Sequence, residues 1–265
     1  MIKPETYTIQ WIKTIAKANH NADPILVEKV IRALTLLVHL AVNDLDFVFK
    51  GGTSLLLILD EPKRLSIDID IIINDGHADL PALFNRIILA FAPTTTGIPY
   101  EKHGDSMSME IIKQLFDISL LFDRSTNLDI IRKSFLSIAA VELQYRNHRD
   151  KSIPDVHEDI FQTALTISSR GIIGNGNYVA LQEGIQKISR FIFADTFYLD
   201  KAIIAAAKTA YINALLKSKK SSIEKFSDSS QINEWIREDP SLNKLNKLKK
   251  SNPEAFFYWH RTVNV

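Results

Sequence analysis

A turn built on adjacent glycines between two apolar, β-type runs is the feature that most constrains this chain. Phe47-Val48-Phe49 leads into Lys50-Gly51-Gly52, and Thr53-Ser54 stands where it can cap the short apolar stretch Leu55 to Leu59. After Glu61-Pro62-Lys63-Arg64 comes Ser66-Ile67-Asp68-Ile69-Asp70-Ile71-Ile72-Ile73. Paired glycines permit a tight turn that side chains would oppose. The last run alternates up to Ile71, which predicts a strand with Ser66, Asp68 and Asp70 on one face and isoleucines on the other. The local order is therefore strand, glycine turn, helix, strand.

That order has a chemical reading. Two carboxylates two positions apart on a strand point the same way, near enough to share a hard divalent cation, so Asp68 and Asp70 form a candidate metal pair. The isoleucine flank marks the strand as packed on its other face, which puts the acids on a fixed scaffold. Upstream, the backbone N–H groups of Gly51, Gly52 and Thr53, the start of the next helix and the Ser54 hydroxyl make a cradle for phosphate oxygens. A metal pair beside a phosphate cradle supplies the parts needed for phosphoryl or nucleotidyl transfer.

Lys50-Gly51-Gly52-Thr53-Ser54-Leu55 followed by Arg64-Leu65-Ser66-Ile67-Asp68-Ile69-Asp70-Ile71 resembles the AbiEii/AbiGii toxin family of nucleotidyltransferases, members of the DNA polymerase β superfamily. The resemblance is dense over residues 47 to 73 and diffuse elsewhere. Position 67, often acidic in the family, is Ile67 here and leaves the metal pair intact. The resemblance implies a nucleotidyltransferase-type mixed sheet flanked by helices. It also implies transfer of a nucleoside monophosphate from an NTP to an acceptor hydroxyl, with pyrophosphate leaving and Mg²⁺ (or Mn²⁺) on the acidic pair. Lys50, Gly51, Gly52, Thr53, Ser54, Arg64 and Ser66 become the nucleotide-binding candidates. In related toxins the acceptor is the 3′ end of tRNA and the toxin is paired with a DNA-binding antitoxin; other members are associated with abortive infection.

Superfamily enzymes usually add a third carboxylate from a neighbouring strand. Glu142, in Phe135-Leu136-Ser137-Ile138-Ala139-Ala140-Val141-Glu142-Leu143, is the favoured candidate for catalysis and metal binding, with Asp117 as its competitor. A lysine and an aspartate in the family's helical half are matched loosely by Lys187, for the triphosphate, and Asp195, for orienting that lysine or activating the acceptor.

Away from this window, helical spacing covers residues 5 to 19 and 24 to 44, the second opened by Asp23-Pro24, and residues 79 to 91. Residues 94 to 110 are predicted as turns and a short hairpin. Lys113 to Phe122 and Phe135 to Tyr145 are predicted as strands joined by a polar link, Asp123 to Asn127. Arg170-Gly171-Ile172-Ile173-Gly174-Asn175-Gly176-Asn177 is the best domain boundary, and beyond it the strand signal gives way to helical patterns. The expected class is α/β (α+β): a nucleotidyltransferase core over residues 1 to 168, followed by an all-helical domain over 178 to 265.

Composition narrows the remaining choices. No Cys is present, which excludes disulfides, thiolate metal sites and a Cys nucleophile. The histidines form no His-Glu-x-x-His or His-x-His pattern for a zinc hydrolase. No run approaches the roughly 18 uninterrupted apolar residues of a membrane span, and the first residues lack a signal-peptide core, so a cytoplasmic protein with no membrane partner is expected. From Lys201 onward there are 12 Lys and Arg against 6 Asp and Glu, whereas residues 1 to 200 carry 20 against 25. A basic segment after an acidic body suits a polyanion, and Lys244, Lys247, Lys249 and Lys250 are the candidate contacts to an RNA backbone. The leading expectation is a toxin that modifies RNA, most simply tRNA. The alternatives are a small-molecule or protein hydroxyl as acceptor, and a catalytically silent nucleotide-binding module, against which intact Gly52, Ser54, Asp68 and Asp70 argue.

Overall fold

A computed structural model of the 265-residue chain describes residues 2–19, 21–42, 47–59, 64–73, 80–125, 128–146, 148, 150–192, 196–236 and 239–265. The chain divides into two compact units: Met1–Asp79 with Ile188–Phe197, and Leu80–Lys187 with Tyr198–Val265.

In the first unit, α1 (Ile9–Ala18) follows Thr8, whose side chain accepts from the Trp11 N–H at 3.2 Å, an N-cap. α2 (Pro24–Val42) begins on the proline that the sequence marks as a start. Ile12 and Ala16 of α1, Val27 and Ile31 of α2, Ala22 and Leu65 form one buried cluster. β1 (Phe47–Lys50) pairs antiparallel with β2 (Asp70–Ile73), with Phe47 opposite Ile73 and Lys50 opposite Asp70. Between them lies α3 (Leu55–Ile58), a single turn. The chain just before β2 is tied to the returning segment: Leu65 N–H donates to Phe191 O, and Arg64 bridges Ile192.

The second unit is built of helices: α4 (Leu80–Ala90), α5 (Ser108–Arg124), α6 (Leu128–Tyr145), α7 (Ile153–Ser168), α8 (Tyr178–Ile188, its last residue falling in the first unit), α9 (Leu199–Lys217), α10 (Leu248–Ser251) and α11 (Pro253–Val263). A two-residue hairpin of β3 (Glu101–Lys102) and β4 (Asp105–Ser106) precedes α5. Helix α9 is buried nearly all round, as expected of a helix at the centre of a bundle, and packs against α5, α6, α7 and α11. Its alanines at 202, 205, 206, 207 and 210 let those neighbours approach closely. Phe256, Phe257, Tyr258 and Trp259 of α11 are buried in the core rather than presented to a ligand, with Tyr258 edge-on to Phe122 at 5.3 Å.

Two strand expectations are overturned. Lys113 to Phe122 lies in α5 and Phe135 to Tyr145 in α6. In α6 the buried residues Leu128, Ile131, Phe135, Ala139 and Leu143 recur at helical spacing. The isoleucines that suggested β structure sit on a helix buried along a broad face, and a short β-branched run does not by itself separate the two. The strand expected over Ser66 to Ile73 is also shorter, because only Asp70 to Ile73 finds a partner in the four-residue β1. Among the described residues both sheets have two strands, so the molecule is an α-rich α+β protein. The compact units do not follow a boundary between 168 and 178, because α7 packs on α9 in the same unit. After residue 178 the described elements are all helical. No helix of the described residues is long and apolar enough to cross a membrane.

Candidate active site

Gly51 ends β1 with φ +79°, a left-handed conformation that an L side chain rarely adopts. The chain turns there instead of continuing the strand. Ser54 closes the turn: its N–H donates to Gly51 O at 3.2 Å and its hydroxyl to the same oxygen at 2.7 Å. Thr53 reaches the other way. Its hydroxyl hydrogen-bonds Ser66 Oγ at 2.8 Å and the backbone oxygen of Asp68. Both side chains are buried, Thr53 at 1% and Ser54 at 2% exposure. Neither caps α3 as the sequence suggested, because each hydroxyl is committed to the turn or to the acidic segment. With α3 only one turn long, the turn gains little from a helix dipole.

The acidic segment lies against this turn. A Cβ placed on Gly51 would meet Asp70 Oδ2 at 2.2 Å, so the carboxylate occupies the space a side chain at 51 would need. Asp68 and Asp70 are both exposed. Ser66, Ile67, Ile69 and Ile71 are half-buried. Lys50 is opposite Asp70 in the antiparallel register, which places its cation on the same face as that acid. Arg64 is 4% exposed and its Nη1 donates to Leu65 O at 3.1 Å, so it sits inside the unit rather than on its surface. Gly52 is half-buried in the turn. Lys50, Gly51, Gly52, Thr53, Ser54, Arg64, Ser66, Asp68 and Asp70 thus all belong to the first unit, and Ser66, Asp68 and Asp70 meet the turn through Thr53 and Gly51.

The other candidates lie on other segments of the chain. Glu142 is on a helix, α6, in the second unit, and its carboxylate lies 3.6 Å from Arg86 and 4.0 Å from Arg146. The expected strand-borne third acid is therefore a helix residue set between two guanidinium groups. Its competitor Asp117 is fully buried in α5. Lys187, in the last turn of α8, forms an ion pair with Glu183 at 2.5 Å, and that lysine holds the Glu183 carboxyl below its ordinary range. Asp195 lies outside the described residues. Lys244 and Lys247 are exposed on the 3₁₀ turn Asn243–Lys247, and Lys250 on α10, while the buried Leu245 and Leu248 anchor the stretch. Lys249 differs: its ammonium donates to Asn233 O at 2.7 Å and Trp235 O at 3.1 Å, a structural tether.

The donor set fits a hard divalent ion. Asp68 and Asp70 offer exposed carboxylate oxygens beside a turn of backbone amides. No group of three or more His, Asp or Glu among the described residues is arranged to hold a metal, so the two acids stand as a pair. Mg²⁺ sites commonly consist of one or two carboxylates completed by substrate phosphates and water.

The Asp70 carboxylate thus lies against a glycine turn whose Thr53 and Ser54 hydroxyls are tied inward. The family model described as nucleotidyl transferase AbiEii toxin, type IV TA system, matches residues 35–108, a stretch that includes the whole constellation from Lys50 to Asp70. No curated protein and no solved structure matches the chain.

Proposed function

We propose that the chain is the toxin of a toxin–antitoxin pair and acts as a nucleotidyltransferase, moving a nucleoside monophosphate from an NTP to an RNA acceptor, in the first instance the 3′ end of tRNA. The observation that carries this reading is the contact between Gly51 and the Asp70 carboxylate, which sets the glycine turn beside one acid of the pair within the family match.

The turn at Gly51 to Ser54 receives the phosphates through its backbone, and the Lys50 cation on the same face as Asp70 adds positive charge there. Asp68 and Asp70 would hold Mg²⁺, which would supply positive charge against that developing on the triphosphate. The acceptor hydroxyl oxygen forms a bond to the α-phosphorus as the bond from that phosphorus to the bridging oxygen breaks. Pyrophosphate leaves with the electron pair, and the hydroxyl proton passes to a nearby base or to water. The exposed lysines Lys244, Lys247 and Lys250 are the proposed contacts to the RNA backbone, and a cognate antitoxin is the expected protein partner.

Labelled NTP incubated with total tRNA and Mg²⁺ tests the reading. Incorporation into tRNA by the wild-type chain, lost in Asp68→Asn and Asp70→Asn, supports it. Incorporation into a small molecule or a protein instead moves the acceptor to those classes, and no incorporation into any of them, with NTP binding retained, identifies a silent nucleotide-binding module.

A further inference from the structure

The Asp68-bearing segment enters β2 without strand support of its own, since pairing with β1 starts only at Asp70. Among the described residues, both side-chain hydrogen bonds reaching residues 66 to 69 come from Thr53. That hydroxyl is nearly inaccessible to solvent, at 1% exposure, and has a single proton. A backbone carbonyl can only accept, so Thr53 donates to the Asp68 oxygen, with Ser66 Oγ as the second partner of the same hydroxyl at 2.8 Å. The Thr53 hydroxyl is thereby oriented by one neighbour and spends its proton on the main chain of the acid.

We infer that Thr53 is a positioning residue for Asp68: its hydroxyl fixes the backbone of that acid so that the carboxylate is presented for a divalent cation. The assignment rests on the nucleotidyltransferase reading but gives Thr53 a different task from the one its sequence position suggests. Its backbone belongs to the phosphate turn, while its side chain serves the acidic pair. Groups that orient metal ligands without touching the metal commonly change affinity by about 10- to 100-fold when removed. Thr53→Val keeps the shape and removes the proton; Thr53→Ser keeps the proton.

The experiment is Mn²⁺ alone, titrated into wild type, Thr53→Val, Thr53→Ser, Ser66→Ala and Asp68→Asn, and read by the relaxation of water protons, with circular dichroism on each protein. The expected result is binding by wild type, loss in Asp68→Asn, weakening by about tenfold or more in Thr53→Val, and near wild-type affinity in Thr53→Ser. Ser66→Ala, which removes only the group that orients the hydroxyl, is expected to weaken binding by a smaller factor, and it carries the test if Thr53→Val fails to fold. Wild-type affinity in Thr53→Val with loss in Asp68→Asn overturns the positioning role and leaves the metal site standing. Equal loss in Thr53→Ser and Thr53→Val overturns it too, by assigning the effect to packing. Indistinguishable binding by wild type and Asp68→Asn overturns the metal site itself, and the positioning role with it. In the folded-but-unaffected case for Ser66→Ala without a usable Thr53→Val, the role is likewise rejected.

Discussion

Asp70 Oδ2 lies in the space that a Cβ on Gly51 would need, 2.2 Å from its ideal position, and Gly51 has φ +79°. Glycine is thus required twice at residue 51, by conformation and by the acid above it. Gly51→Ala is expected to displace the Asp70 carboxylate and to cost about 1 to 2 kcal/mol in backbone strain, lowering Tm by a few degrees. Transfer activity is expected to fall much further than stability. Thermal unfolding beside NTP incorporation checks this, and an alanine variant with full activity contradicts it.

Asp68→Asn and Asp70→Asn are expected to reduce transfer by on the order of 100-fold or more, the scale of removing one electrostatic contact from a reacting centre. Both side chains are exposed, so stability should stay within about 0.5 kcal/mol of wild type. Single-turnover incorporation and a denaturation curve on the same preparations separate the two quantities.

The four C-terminal lysines are expected to divide. Replacing Lys244, Lys247 and Lys250 with alanine should weaken RNA binding and flatten its salt dependence, each lost phosphate contact removing about 0.7 to 0.9 from the logarithmic slope. Lys249→Met should leave that slope alone and instead lower stability, because its ammonium holds the carbonyls of Asn233 and Trp235. RNA affinity across a salt series, with Tm for each variant, reads both effects; a slope change on Lys249→Met alone would reverse the assignment.

His157 and Asp159 set opposing pH dependences in the second unit. Burial pushes His157 below its ordinary value of 6.5 against the partial support of Asn213, and Lys217 adds to the depression. Its Nδ1 lies 2.6 Å from Asn213 Oδ1 and its ring stacks on Phe135 at 4.8 Å. The folded state therefore binds fewer protons at this site than the unfolded state. Stability from neutral His157 is complete above about pH 6.5 and declines as pH falls below it. Burial raises Asp159 above 3.8 despite bonds from Thr94 N–H and Thr95 Oγ1 at 2.8 and 2.9 Å. That group takes up its proton first in the folded state, so its contribution grows as pH falls from its raised value toward 3.8. Denaturant midpoints of wild type and His157→Gln between pH 7.5 and 5.5 test the histidine: the wild type should lose stability over that range more steeply than the variant.

The legible parts of the fold were those with punctuation. Asp23-Pro24 opened α2, Gly51-Gly52 marked the turn, and the hairpin before α5 fell in the segment expected to hold one. Helices α5 and α6 were misread because their isoleucines and phenylalanines suggest β structure locally, whereas their conformation is decided by what they pack against. Glu142, expected on a strand, sits on a helix for the same reason. The acidic pair was readable because its two-residue spacing and the glycine turn are close in sequence. Thr53 offered no such signal. Its hydroxyl bond to the Asp68 backbone joins residues 15 positions apart and follows from the return of the chain after α3.

The tie from Leu65 to Phe191, with the bridge from Arg64 to Ile192, closes a first unit that is compact in space but discontinuous in the gene. A ribosome delivers the glycine turn and the acidic pair early, yet the backbone partner of the residue just before them is made only after the whole of Leu80 to Lys187 has been added. During synthesis the nascent N-terminal portion thus waits for a strand-like clasp that arrives late. A chain terminated prematurely anywhere in the intervening stretch would carry both acids without it, which couples completion of this site to translation past Ile192.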